Sequence, residues 1–154
     1  MMKSRAAGFS MIELMITLVI VAIVTGFAYP SYKESIAKGR RSDAQTALAG
    51  YAAAMERTFV ANNNNYATTA NCTSSCTPMS GIFPTTVPTD GGNPVTYNLT
   101  VTGLTSNGYT LKAVRSTTGP QKNDKCGDFT LNQFGQQGIE NAASGITAAD
   151  CWRK

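Results

Sequence analysis

Gly8-Phe9-Ser10-Met11-Ile12-Glu13-Leu14 opens an almost unbroken apolar run that continues through Tyr29 and meets Pro30. Residues 9–29 number 21, and a helix of roughly 20 apolar residues spans the hydrocarbon core of a bilayer. Within the run only Glu13 is charged. An acid at the centre of a membrane helix costs about 2.5–3.5 kcal/mol on insertion scales, so Glu13 is a functional candidate. The bland alternative is an acid that snorkels to the nearby membrane edge. Residues 1–8 form a short leader carrying Lys3 and Arg5. A secretory signal is the rival reading, with Gly26-Phe27-Ala28 as its cleavage site. The run exceeds the roughly 7–15 apolar residues of such signals, and the embedded acid has no place in one.

Composition narrows the function classes. The chain has 154 residues, a formal net charge of +4 and no histidine. Without the leader, 11 basic and 9 acidic residues remain, too mild a balance to argue for nucleic acid by itself. The lack of histidine removes the commonest general base, the Ser-His pair and His-ligated zinc. No Gly-rich phosphate loop or EF-hand spacing occurs, so the sequence points to no enzyme, no cofactor and no metal. Cys72, Cys76, Cys126 and Cys151 all lie beyond the apolar run. An even count there suggests disulfides in an oxidising compartment. Lys3 and Arg5 favour a cytoplasmic N-terminus. Lys33, Lys38, Arg40 and Arg41 pull the other way, but the cysteines require the larger part of the chain to be exported.

The motif from Gly8 to Leu14 closely resembles the class III prepilin signature of type IV pilins and pseudopilins. The resemblance implies that a prepilin peptidase cuts between Gly8 and Phe9 and N-methylates Phe9. It also implies that Glu13 helps recruit the subunit into a filament. Ser10 and Met11 stand where Thr and Leu are frequent in the family. The physical reading stands beside this one. Cleavage leaves a cationic amine at Phe9, and in hydrocarbon that amine and the Glu13 carboxylate each need a counter-charge. Pairing Glu13 of one copy with the Phe9 amine of another sets an axial register, as a buried polar residue does in a coiled coil.

Pro30 removes a hydrogen bond to the Gly26 carbonyl and crowds that turn, and Gly26 is itself a weak helix former. The pair marks either a kink just outside the membrane or, as in pilins resembling this one, a stretch that melts on assembly. Residues 31–61 continue as an amphipathic helix, with Ile36, Ala44, Leu48, Tyr51, Met55 and Phe59 mainly three or four apart. Arg40 interrupts the stripe. Asn62 to Asn65 ends the helix, and residues 68–92, rich in Thr, Ser, Pro and Gly, read as a connecting loop.

Residues 95–101 alternate apolar and polar, a half-buried strand. Residues 109–116 form a second strand and Phe129-Thr130-Leu131 with neighbours a third, in an antiparallel meander. The expected fold is α+β: a long N-terminal helix, transmembrane then amphipathic, on a small antiparallel sheet of 3–4 strands, pilin-like. Its divisions are leader 1–8, transmembrane and assembly helix 9–30, and exported head 31–154. Four cysteines allow three pairings. The short separation of Cys72 and Cys76 favours pairing them, with Cys126 bonded to Cys151. The latter bond closes a long loop and stabilises by roughly 3.5 kcal/mol on the chain-entropy model. Pilins likewise have a C-terminal disulfide-bounded region, and Cys126-Gly127 with the terminal Asp150-Cys151-Trp152 is most similar to PilE-class minor pilins.

The expected function is a structural one: a type IV pilus subunit, a minor pilin, held in the inner membrane and then packed into a surface filament. Its partners are other pilins, prepilin peptidase and the inner-membrane assembly machinery. A secretion-system pseudopilin is the nearest alternative. The binding-class alternative is a subunit that takes up DNA or mediates adhesion. Lys112, Arg115, Lys122, Lys125, Arg153 and Lys154 supply its cations, and phosphate contact predicts strong salt dependence. A scattered solvated surface is the competing reading of those six.

Overall fold

The computed structural model describes residues 8–67, 75–76 and 81–152, with 75–76 described by backbone alone. It divides into two compact units, Met1–Ile36 and Ala37–Lys154. A single helix, α1 (Met11–Ala61), contributes to both.

In the first unit, the side chains of α1 are exposed on all faces from Met11 to Tyr29. The best 18-residue window has a mean hydropathy of 2.4 with none of it buried. Such a surface belongs in hydrocarbon or against other apolar helices. Its threonine hydroxyls are satisfied locally. Thr17 Oγ1 donates to the Leu14 carbonyl at 2.9 Å and Thr25 Oγ1 to the Val21 carbonyl at 2.7 Å. Pro30 lies inside the helix, and the helical backbone is uninterrupted around it.

The second unit begins where α1 becomes one-sided. Arg41, Ala44, Leu48, Tyr51 and Met55 are buried at alternating spacings of three and four, with Ala47 beside them. The sheet they face has four strands of four to six residues: β3 (Tyr97–Thr102), β4 (Thr110–Arg115), β5 (Asp128–Asn132) and β6 (Gln137–Glu140). Two two-residue pieces, β1 (Ser75–Cys76) and β2 (Thr86–Val87), share the outer edge of β3. All pairings are antiparallel in the order β1-β3-β4-β5-β6, with β2 beside β3. The register aligns one apolar face: Leu99 with Ala113, Val101 with Leu111, Leu111 with Leu131, and Phe129 with Ala113 and Ile139. These residues and the α1 stripe form one core.

The meander and its packing on the Leu48–Met55–Phe59 stripe agree with expectation, Phe59 being only partly buried. Within 68–92 the expected loop is punctuated by β1 and β2. Thr96 is spent on β2, its N–H and hydroxyl both donating to the Val87 carbonyl at 2.8 and 3.0 Å. This delays β3 to Tyr97. Strand β6 had no distinct signal, because Ile139 is the one strongly apolar residue in Gln137-Gly138-Ile139-Glu140.

The chain after β6 folds back on the sheet. Cys126 and Cys151 are joined, with Cα atoms 5.7 Å apart. Cys151 ends a short helix, α2 (Ala148–Cys151), and its carbonyl accepts Gln45 Nε2 of α1 at 2.9 Å. Trp152 stands edge-on to Phe129 at 5.4 Å, and its Nε1 donates to the Gly138 carbonyl of β6 at 2.9 Å. The residues of the expected Cys72–Cys76 bond lie outside those whose side chains are described.

The cation that turns into the apolar stripe is Arg41 and not the expected Arg40, because Arg41 has a buried partner. Its Nε donates to both oxygens of Asp124, at 2.8 and 3.1 Å, and its Nη2 to Oδ1. The two side chains are 7% and 3% exposed. Gln121 Nε2 adds donations to the Ala37 carbonyl and to Tyr97 Oη, both at 3.3 Å. Removing one member of a buried ion pair strands the other's charge, at a cost of about 3–5 kcal/mol, whereas replacing both by apolar residues is often neutral. Asp124→Ala is therefore expected to cost about 3–5 kcal/mol, and Arg41→Met with Asp124→Leu much less. Denaturant unfolding of the detergent-solubilised chain measures both.

Candidate functional site

Two regions hold the residues singled out in the sequence. The first is the start of α1. Phe9 is 78% exposed. The Ser10 carbonyl accepts the N–H groups of Glu13 at 3.1 Å and Leu14 at 3.2 Å, so Ser10 is the hinge residue from which the helix starts. Glu13 lies in the first turn, where the positive end of the helix dipole favours an anion. Ser10-Met11-Ile12-Glu13 also has the S-x-x-E spacing of a capping box. Ile12, Met15, Ile16, Val19 and Ile20 line a shallow apolar groove on the helix. At the far end of the run, Lys33 Nζ sits 4.6 Å from the Tyr29 ring centroid, an arrangement suited to a membrane interface.

The second region is the head, where the candidate cations prove unequal. Lys112 Nζ is bound to both carboxylate oxygens of Glu140 at 2.8 Å. Arg115 is a brace: Nε donates to Asp128 Oδ1 at 3.1 Å, Nη1 to the Asp124 carbonyl at 2.9 Å and Nη2 to the Asn141 carbonyl at 3.1 Å. Both are therefore committed to the fold. Lys122 and Lys125 are exposed on the β4–β5 connection, residues 116–127. The Arg41–Asp124 pair and the Cys126–Cys151 bond pin that connection. Arg153 and Lys154 lie outside the described residues. An open groove of about 550 Å³ runs along α1, but Asp43 and Asp90 on its wall disfavour a phosphate chain there.

At the other end of the sheet, Glu56 Oε1 accepts the hydroxyls of Tyr66 at 2.8 Å and Tyr109 at 3.1 Å. Burial, then the hydrogen bond and charge of Glu56, push Tyr66 up to about 12. Burial and Glu56 raise Tyr109 as well. Burial alone lifts Tyr51 to about 12. Tyr97 also reaches about 12, raised chiefly by burial and then by Asp124, against a lowering by the Gln121 hydrogen bond. Tyr66, Tyr97 and Tyr109 are structural donors, to Glu56 and Asp124. No cluster of three or more metal-binding side chains occurs among the described residues.

A long helix, apolar on all sides at its start and one-sided later, packed on an antiparallel meander with a disulfide-closed C-terminal segment, defines a type IV pilin. A family model described as the prokaryotic N-terminal methylation motif matches residues 3–29. Another, described as type IV minor pilin ComP, DNA uptake sequence receptor, matches residues 30–130. The chain belongs to the ComP family of type IV minor pilins. It is anchored in the inner membrane by its apolar helix and passes from there to the pilus at the cell surface. Its partners are other pilins and prepilin peptidase.

The tyrosines give a pH test. Folded phenols that hold their protons to about 12 face unfolded ones that release theirs near 10, so the unfolded state binds fewer protons across that window. Stability is then expected to be intact below pH 10, to fall as pH rises from about 10 to about 12, and to level off above. Tyrosinate absorbance followed alongside unfolding checks this: ionisation of all tyrosines near pH 10 without loss of fold contradicts it.

Proposed function

We propose that this minor pilin binds DNA at the pilus surface through its head. The observation that carries the reading is the match to a family described as a DNA uptake sequence receptor. The structure supports it physically with a pinned loop that exposes Lys122 and Lys125. Lys112 and Arg115, spent on carboxylates, take a structural part. The same family match favours the pilus over a secretion pseudopilin, and no observation favours adhesion. The chain acts as a filament subunit and not as an enzyme; a sequence without histidine supports this.

Assembly follows the division into leader 1–8, helix 9–30 and head 31–154. Prepilin peptidase cuts after Gly8 and methylates Phe9. In the filament Glu13 pairs with the Phe9 amine of a neighbour, and Gly26 to Pro30 is the stretch that unwinds to adapt packing. The N-terminus starts in the cytoplasm. The inner-membrane machinery supplies the energy for extrusion.

Two experiments test these readings. Glu13→Ala is expected to leave membrane insertion intact and to reduce recovery in sheared pili at least tenfold; normal incorporation rejects the charge pairing. For DNA, the logarithm of affinity falls with log salt by about 0.9 per phosphate contact. Full-length protein in nonionic detergent is expected to show such a slope, and Lys122→Ala with Lys125→Ala to flatten it by about 2. Lys112→Ala is expected to leave the slope unchanged. Absent or salt-insensitive binding rejects the DNA reading.

A further inference from the structure

The turn between β5 and β6 is built more firmly than its exposure requires. Asn132 Oδ1 accepts the N–H groups of Phe134 at 3.0 Å and Gln136 at 2.9 Å. Asn132 Nδ2 donates to Gln136 Oε1 at 2.6 Å. Gly135 supplies the positive φ of +74° that the turn needs. On this platform Phe134 is 77% exposed. The neighbouring β3–β4 turn holds Gln133, whose Oε1 accepts the Tyr109 N–H at 3.3 Å. Because a backbone donor occupies Oε1, the orientation of the amide is fixed and Nε2 is the end left to donate. Gly108 leaves room for it, since a Cβ there would lie 2.9 Å from Gln133 Nε2. Gln133, Thr105, Gly108, Thr110 and Asn132 border a shallow basin of about 340 Å³ with no charged side chain in its wall.

We propose that Gln133 and Phe134 of the β5–β6 turn read base edges in the DNA major groove, which rests on the DNA-binding reading above. The chemistry favours bases over phosphates. Residues 132–137 carry no charge, so the tip adds neither attraction nor repulsion toward the backbone. It offers an amide donor, matched by purine N7 and O6 or thymine O4, and an apolar ring, matched by the thymine methyl. The major groove admits the tip of a two-stranded ribbon. Strand β5 separates this turn from the lysine-bearing connection by roughly 14 Å, about four base-pair steps at 3.4 Å each. One end of the strand thus anchors phosphate while the other discriminates sequence.

The test uses full-length protein in nonionic detergent and a pool of random 30-base-pair duplexes, with the bound fraction sequenced. The wild type is expected to enrich a motif. Gln133→Met and Phe134→Ser are each expected to reduce that enrichment about tenfold or more while retaining the salt slope of binding. Phe134→Ser alters an exposed side chain, and unchanged thermal unfolding shows that its effect is on recognition. A wild type that binds the pool without enrichment overturns this inference and leaves the DNA-binding reading standing. So do variants that enrich the same motif equally. A wild type that binds no duplex overturns both.

Discussion

One helix must serve two solvents, and the rest of the chain is arranged around that constraint. Up to Tyr29, α1 presents apolar groups in every direction, which only hydrocarbon or other helices can cover. From Arg41 onward it has one buried stripe and an exposed back. The sheet supplies the matching face with Tyr97, Leu99, Val101, Leu111, Ala113, Phe129 and Leu131. The head is small, and two kinds of cross-link add to its core: the Cys126–Cys151 bond, and partly buried hydrogen bonds from α1 to distant parts of the chain, such as Gln45 to the Cys151 carbonyl.

The Arg41–Asp124 pair is the most consequential of these links. An arginine in an apolar stripe is costly unless its fork is filled, and here a single carboxylate fills it from the β4–β5 connection. Tyr97 and Gln121 complete the cluster, so buried polar groups find partners on α1, β3 and the connection at once. A twelve-residue connection of this kind would ordinarily be free to move. Tied at Asp124 and again at Cys126, it becomes a fixed mount for whatever its outward side chains touch. Gly127, at φ +70°, allows the chain to leave that mount against the Glu140 carbonyl, where any Cβ would collide.

Most of the fold was legible because its signals are periodic. The apolar run, the three-four stripe ending in Phe59 and the alternation in residues 95–101 each report a burial pattern directly. What was missed has no periodicity. Strands β1 and β2 are two residues long and exist only as edge partners of β3. Arg41 looked like one more member of a basic cluster with Lys38 and Arg40, since nothing local distinguishes a cation that turns inward; its partner is 83 residues away. Glu13 stands out because it is the one charge in an apolar run. Phe134 does not, because an aromatic between polar residues reads equally as the inward residue of a strand.

The cations show why counting charge misleads in a head of this size. Six bases near the C-terminus suggest a basic surface, but Lys112 and Arg115 are neutralised by Glu140 and Asp128 across the sheet. Under the DNA-binding reading, the side chains a nucleic acid meets are Lys122 and Lys125, exposed on the β4–β5 connection and placed by the tertiary structure rather than by the sequence interval. A mild net charge is then compatible with selective binding, because a weak phosphate grip leaves non-specific affinity low. On the proposed reading, discrimination falls to groups that carry no charge and are held still, as Gln133 is by the Tyr109 N–H. If the head binds DNA as proposed, limiting its cations favours selectivity, and the carboxylates at Glu140 and Asp128 are part of that limit.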